Sequence, residues 1–165
     1  MSRTVQFIAW YPRTSLMLIT IREVAEAELS QLLHLYTHLN PNDPALPLSE
    51  AAKIWKPMVQ DSNQCIYGAY LEGELVATCE LIVIANLTRG GRPYALIENV
   101  VTHSECRRRG YATAVLRHAL EAAWERSCYK VMLMTGSKNE ATLRFYENAG
   151  FRRGDKTGFV ARPGG

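Results

Sequence analysis

No part of this 165-residue sequence offers an uninterrupted apolar run long enough to span a bilayer. The apolar residues of the opening MSRTVQFIAWYPRTSLMLITI are broken by Pro12 and Arg13, and no small-residue cleavage site follows. Neither a membrane segment nor export is expected. A CxxC pair is also missing. Cys65, Cys79, Cys106 and Cys128 stand far apart, which excludes the usual zinc spacings and a disulfide framework. Reduced, structural thiols in a cytoplasmic protein are the expectation. Net charge is scarce: +3 overall gives no global field for nucleic acid, so any cationic function must be local. The glycine fingerprints of the two commonest nucleotide folds, GxGxxG and GxxxxGK followed by Ser or Thr, do not occur. His34, His38, His103 and His118 are scattered, with no pair joined to a third ligand, and no metal is expected. Repeats and low-complexity tracts are absent too.

What remains is the composition of an ordinary soluble domain, 47% apolar and 21% charged, in a chain long enough for one sizeable core. Residues 1–165 read as a single domain, with 1–16 a candidate N-terminal extension. LMLITI is a short strand, and EVAEAELSQLLHLYTHL has apolar residues at helical spacing up to the breakers of NPNDPALP. SEAAKIWKPMV reads as a second helix, capped by Ser49 and ended or kinked by Pro57. Two strands, CIYGAYLEG and ELVATCELIVIANL, flank a Glu-Gly turn at 72–73, and YALIENVVTH is a third. A long helix follows with Ala112, Val115, Leu116, Ala119, Leu120 and Ala123 on its apolar stripe; His118 falls on the polar face. YKVMLMT is a buried strand. SKNEATLRFYENAG is a helix with a Ser137/Glu140 capping box and Gly150 as its stop. A last short strand is expected at GFVAR. This order predicts an α+β (mixed α/β) fold around one twisted sheet.

SECRRRGYATAVL, residues 104–116, concentrates the local cationic chemistry. A strand running through a glycine into a helix start presents unpaired N–H groups and the positive end of a helix dipole. Gly110 permits close approach to the backbone, Ala112 is nearly as small, and the arginines add charge-assisted donors. The segment thus has the chemistry of a pyrophosphate site. On local chemistry alone, a solvated basic turn is the favoured reading. Nucleic-acid contact is disfavoured, since no second basic cluster flanks the turn.

Arg107-Arg108-Arg109-Gly110-Tyr111-Ala112 matches the Gln/Arg-x-x-Gly-x-Gly/Ala signature of the GNAT superfamily of acetyl-CoA-dependent N-acetyltransferases. IENVVTH stands where that family has its cofactor-bearing strand. NEATLRFYENAGF resembles the family's later Asn/Tyr helix with its terminal Gly-Phe. The resemblance covers about residues 17–162 in element order and is tight from Ile97 to Phe151. IENVVTHSECRRRG also lines up without a gap on glucosamine-phosphate N-acetyltransferases, whereas TGSKNEATLRFYENAGF is longer before the tyrosine than in that branch. The resemblance implies the GNAT fold, a mostly antiparallel central sheet flanked by about four helices.

It further implies that acetyl-CoA, as acetyl donor, lies along Val100, Val101 and Thr102, with Val100 and Thr102 bonding the pantetheine arm like an added strand. An N–H near Val100 would hold the oxyanion. The pyrophosphate would rest on backbone N–H groups between Arg107 and Ala112, a stretch that includes Arg108, Arg109, Gly110 and Tyr111. Asn139 would bond the pantetheine region.

Glu98 stands out unaided, because it interrupts the apolar YALIENVV, where a charge is costly unless partnered or used. The resemblance makes it the general base; a strand-end position or a structural ion pair is the alternative. Tyr146 would protonate the leaving thiolate, core packing being its alternative. Trp55 and Tyr67 are assigned to the core rather than to an acceptor pocket. The expected activity is transfer of acetyl to a primary amine of a small molecule, by direct attack in a ternary complex without a metal. A protein or peptide amine, or a CoA-binding module without turnover, are the alternatives. Neither nucleic acid nor membrane is an expected partner, and the resemblance allows for a homodimer.

Overall fold

The computed structural model describes residues 4–9 and 17–164. Six strands form one sheet in sequence order. β1 (Val5–Ala9) pairs antiparallel with β2 (Met17–Glu23), so part of the segment read as an extension is the edge of the sheet. A short 3₁₀ turn, Glu26–Glu28, leads into α1 (Leu29–Tyr36), and α2 (Leu48–Gln60) follows. The residue before the first turn of α2 is Pro47 rather than the expected Ser49, and the helix does not end at Pro57 but runs on to Gln60. A proline this close to the C-terminal end removes one backbone bond but leaves the rest of the helix intact. Trp55 anchors α2, 5% exposed and donating its indole N–H to the Glu26 carbonyl at 3.0 Å.

β3 (Gln64–Leu71) and β4 (Glu74–Ile84) are joined at Glu72 and Gly73, both at positive φ, the turn that matches the twist of a two-residue hairpin. β5 (Tyr94–Thr102) pairs antiparallel with β4. α3 (Tyr111–Glu125) is the crossover to β6 (Val131–Leu133), which pairs parallel with β5. α4 (Glu140–Asn148) closes the fold. Its stop is at Gly150 (φ 111°): Phe151 N–H bonds the Tyr146 carbonyl and Gly150 N–H the Glu147 carbonyl. Its start differs from the expected capping box. Asn139 is the cap, accepting the Ala141 N–H at 2.8 Å, while Glu140 pairs with Arg153. GFVAR is not a strand. Phe159 and Val160 are exposed, and local β preference without a partner edge to bury against does not make a ladder.

Each face of the sheet has its own core. Ile21, Cys79, Leu81, Ala95 and Ile97 meet Val115, Leu116 and Ala119 of α3 on one side. Val24, Ile66, Tyr70, Leu75 and Val101 meet Leu32, Leu35 and Trp55 of α1 and α2 on the other. Tyr67 is core, as expected. His118 departs from expectation: it is 8% exposed, its ring 4.7 Å edge-on from Tyr67, because the contact face of α3 is wider than its aliphatic stripe.

The α1 side is fastened to the sheet by a small ionic network. Arg22 makes two bonds to Glu28, at 2.7 and 2.8 Å, and lies over the Tyr70 ring at 3.7 Å. Tyr70 O–H and Ala25 N–H also donate to Glu28. The Arg22 bonds, ahead of the other donors, hold the Glu28 carboxyl down from about 4.5 to about 2. A carboxyl held low in the folded state stabilises the fold above its ordinary range, and that contribution disappears as pH falls. Glu28→Gln should therefore cost about 1–3 kcal/mol at neutral pH in urea unfolding, through a half-lost, half-buried network. The variant should also lose less of its remaining stability than the parent between pH 4.5 and 2.

Candidate active site

β5 carries one more residue than β4 between two register points. Thr78 faces Val101 and Glu80 faces Glu98, so the extra residue lies at Asn99–Val100, and Asn99 takes φ 51°. A bulge of this kind turns backbone groups out of the ladder and re-aims side chains. On the other edge, pairing with β6 ends at Ile97 and Leu133. From Glu98 to Thr102, β5 thus has a partner strand on the β4 side only.

The gap opens into a cleft of about 740 Å³ lined by β5, the turn after it, the start of α3 and one face of α4. Val100, Val101, Thr102, Arg107, Arg108, Arg109, Gly110, Tyr111, Ala112, Asn139 and Tyr146 all line it. The sequence candidates for cofactor binding are brought together without exception. Their side chains divide by role. Val101 and Tyr111 point into the two cores, 4% and 2% exposed, so only their backbones can serve a ligand.

Gly110 is the residue before α3 and has φ 83°, a conformation strained for any residue with a Cβ. A Cβ built there meets nothing within 4 Å, so the need for glycine in the protein itself is conformational rather than steric. α3 then begins with Tyr111, Ala112 and Thr113, first-turn residues whose N–H groups have no acceptor within the helix. Arg107 is committed to holding the turn: its Nη2 donates to the His38 carbonyl at 3.1 Å and its Nε to the Thr102 carbonyl at 3.4 Å. Asn139 gives its Oδ1 to the helix cap, leaving its NH₂ as the group that can bond a ligand.

Tyr146 packs with Phe145 and Phe151, ring centroids 4.8 and 6.4 Å away. Burial, then the negative charge of Glu98, pushes its phenol above the ordinary value. The phenol therefore keeps its proton at neutral pH. Glu98 does not line the cleft with the others; it is half-buried on β5 opposite Glu80 of β4.

Glu80 is a residue the sequence reading passed over. It is 4% exposed and accepts bonds from Gln64 Nε2 and from Asn99 Nδ2, the latter at 2.7 Å. The signal was available, since Glu80 interrupts ELVATCELIVI as Glu98 interrupts YALIENVV. Also unforeseen, His34, His38 and His103 converge beside the cleft. The cysteines are free thiols among the described residues, and burial raises Cys65, Cys79 and Cys128 away from reactivity.

Comparison with known proteins accords with this geometry. The profile of the family described as Acetyltransferase (GNAT) family matches residues 29–151. A glucosamine 6-phosphate N-acetyltransferase of Trypanosoma brucei brucei is 29% identical over 141 residues, 84% of this chain and 92% of that protein. A solved structure of a candidate acetyltransferase from Agrobacterium tumefaciens str. C58 superposes with a TM-score of 0.83 at 46% identity, covering 86% of this chain and 98% of the other. A transcriptional regulator from Bacillus halodurans C-125 gives a TM-score of 0.77 at 29% identity, over 87% and 99% of the two chains. With the family profile running from α1 through the end of α4 and the whole fold shared, the protein belongs to the GNAT acetyltransferase family.

Proposed function

We propose that this enzyme transfers acetyl from acetyl-CoA to the primary amine of a small polar molecule, of the amino-sugar class, by direct attack in a ternary complex. The observation that carries the reading is the unpaired edge of β5 past Ile97, leading into a helix start behind an αL glycine. An extended amide-bearing arm can add to that edge through backbone groups of Val100 and Thr102. N–H groups of Ala112 and its neighbours, with Arg108 and Arg109 at the rim, suit a pyrophosphate. A small amino sugar is favoured because the Trypanosoma relative, named for glucosamine 6-phosphate, aligns across most of both chains.

In the proposed reaction Glu98 takes a proton from the acceptor ammonium, directly or through water, and the backbone N–H near Val100 holds the developing oxyanion. Tyr146, kept protonated by burial and by Glu98, donates to the departing thiolate. The chemistry that acetyl-CoA supplies when bound is an activated thioester. The reduced thiols fit a cytoplasmic setting, and among the described residues no helix is long and apolar enough to cross a membrane. A second reading, a CoA-binding domain without turnover, is compatible with a solved structural relative named as a transcriptional regulator. Thiol released from acetyl-CoA with a panel of amines separates the two.

Tyr146→Phe should lower kcat by about 10²-fold or more with little change in acetyl-CoA affinity, measured by thiol release and by calorimetry. Full turnover in that variant removes Tyr146 from the acid role. Glu98→Gln should depress activity chiefly where the acceptor is protonated, and a pH–rate profile parallel to that of the parent sinks the base assignment. Gly110→Val should weaken acetyl-CoA binding more than Arg108→Ala does, because it disturbs φ at the donors themselves. Equal or reversed losses in a binding titration would mean that the arginine side chain, not the backbone, dominates.

A further inference from the structure

Three of the four histidines come together at the rim of the cleft. His34 and His38 lie four residues apart on and just after α1, hence on one face. His103 follows β5 and opens the turn that leads to Arg107. One ring nitrogen from each lies within 4.8 Å of the other two. The ring centroids are 4.2 Å apart for His38 and His103, 5.8 Å for His34 and His38, and 6.4 Å for His34 and His103. Around a tetrahedral zinc-class ion, nitrogens at 2.0–2.1 Å from the metal stand about 3.4 Å from one another. Closing from the observed separation takes about 1.4 Å at most, within reach of small side-chain rotations.

The cluster leaves a ring nitrogen without an evident use. His38 Nε2 is sealed from solvent and has no hydrogen-bond partner among the described residues. Buried polar atoms of this kind are uncommon and invite explanation. Imidazole nitrogens converging on one point suit a cation of borderline softness. His34 is exposed and gives such an ion a path in. His103 currently accepts the Glu105 N–H at Nδ1 over 3.3 Å. Ligation through Nδ1, or through Nε2 with Nδ1 reprotonated, gives up only this long bond from an exposed amide, which water can replace.

We propose that His34, His38 and His103 form a binding site for one divalent transition-metal ion of the zinc class, with a fourth position left to water. The ion ties α1 to the turn that Arg107 already bonds to the His38 carbonyl. Occupancy therefore stiffens the junction between α1 and the loop that leads into α3. This assignment is independent of the proposed acceptor and of turnover.

The test uses the full-length chain without an affinity tag, stripped with chelator, then titrated with zinc chloride by calorimetry and with cobalt chloride by absorption. The expected result is one ion per chain and cobalt ligand-field bands of a low-coordinate nitrogen site. His34→Asn, at an exposed position, should weaken uptake by more than about 100-fold, beyond the 10–100-fold that loss of a merely supporting partner costs. His38→Ala and His103→Ala should do the same with their circular dichroism unchanged, and Cys106→Ser should leave uptake intact. Absence of saturable uptake by the parent overturns the proposal. So does uptake that survives all three histidine substitutions or that is lost in Cys106→Ser alone.

Discussion

The outer edge of β5 is the constraint from which the rest of the molecule follows. Backbone N–H and C=O groups away from water must be paired, and along most of this sheet the neighbouring strand does the pairing. β6 supplies that pairing over Ala95–Ile97 and then stops, while the bulge at Asn99 shifts the β4 side by one residue. The unpaired stretch can persist because it borders a cleft. It also fixes where α3 has to begin. The crossover returning the chain to a parallel β6 starts directly after the open edge, so the positive end of the helix dipole and the free ladder groups face one space.

That arrangement separates Glu98 and Tyr146, the groups proposed to handle protons, by sheet face. Glu98 is in register with Glu80, on the side of Tyr36 and the α1–α2 core, whereas Tyr146 packs against the α3 core. The two meet only where the sheet parts. Glu80 is tied down by Gln64 and Asn99, and its charge contributes to raising the buried Tyr36 phenol after burial itself. Two carboxylates opposite each other across one strand pair repel, and the amide partners of Glu80 offset part of that cost. The same bulge residue that opens the strand also supplies one of those amides.

Much of this was legible in the chain. The Glu-Gly hairpin, the Gly150 stop and the glycine before α3 each require a positive φ that few other residues tolerate, so their chemistry is local and readable. The site residues could be gathered because a strand, a turn and a helix start are contiguous in sequence from Ile97 to Ala112. What could not be read depended on tertiary partners. His118 is buried by the breadth of the α3 contact, Pro57 is tolerated because of where α2 ends, and GFVAR has strand-like residues but no edge to join. The histidine group draws on segments far apart in sequence, His34 and His103 being joined only when α1 lies down beside the end of β5.

The division of the apolar interior into two cores bears on how such a molecule can change. The α3 core contains the strands, the helix and the aromatic wall that face the cleft, and it is the larger of the two. The α1–α2 core is smaller and draws on the sheet mainly through Val24, Ile66, Tyr70, Leu75 and Val101. Substitutions far apart with no shared partners act nearly independently on stability. Helices α1 and α2 can accordingly be re-sculpted by successive single changes while the α3 half keeps its fold. A lineage could thus explore new acceptors at a cost confined to one side of the sheet.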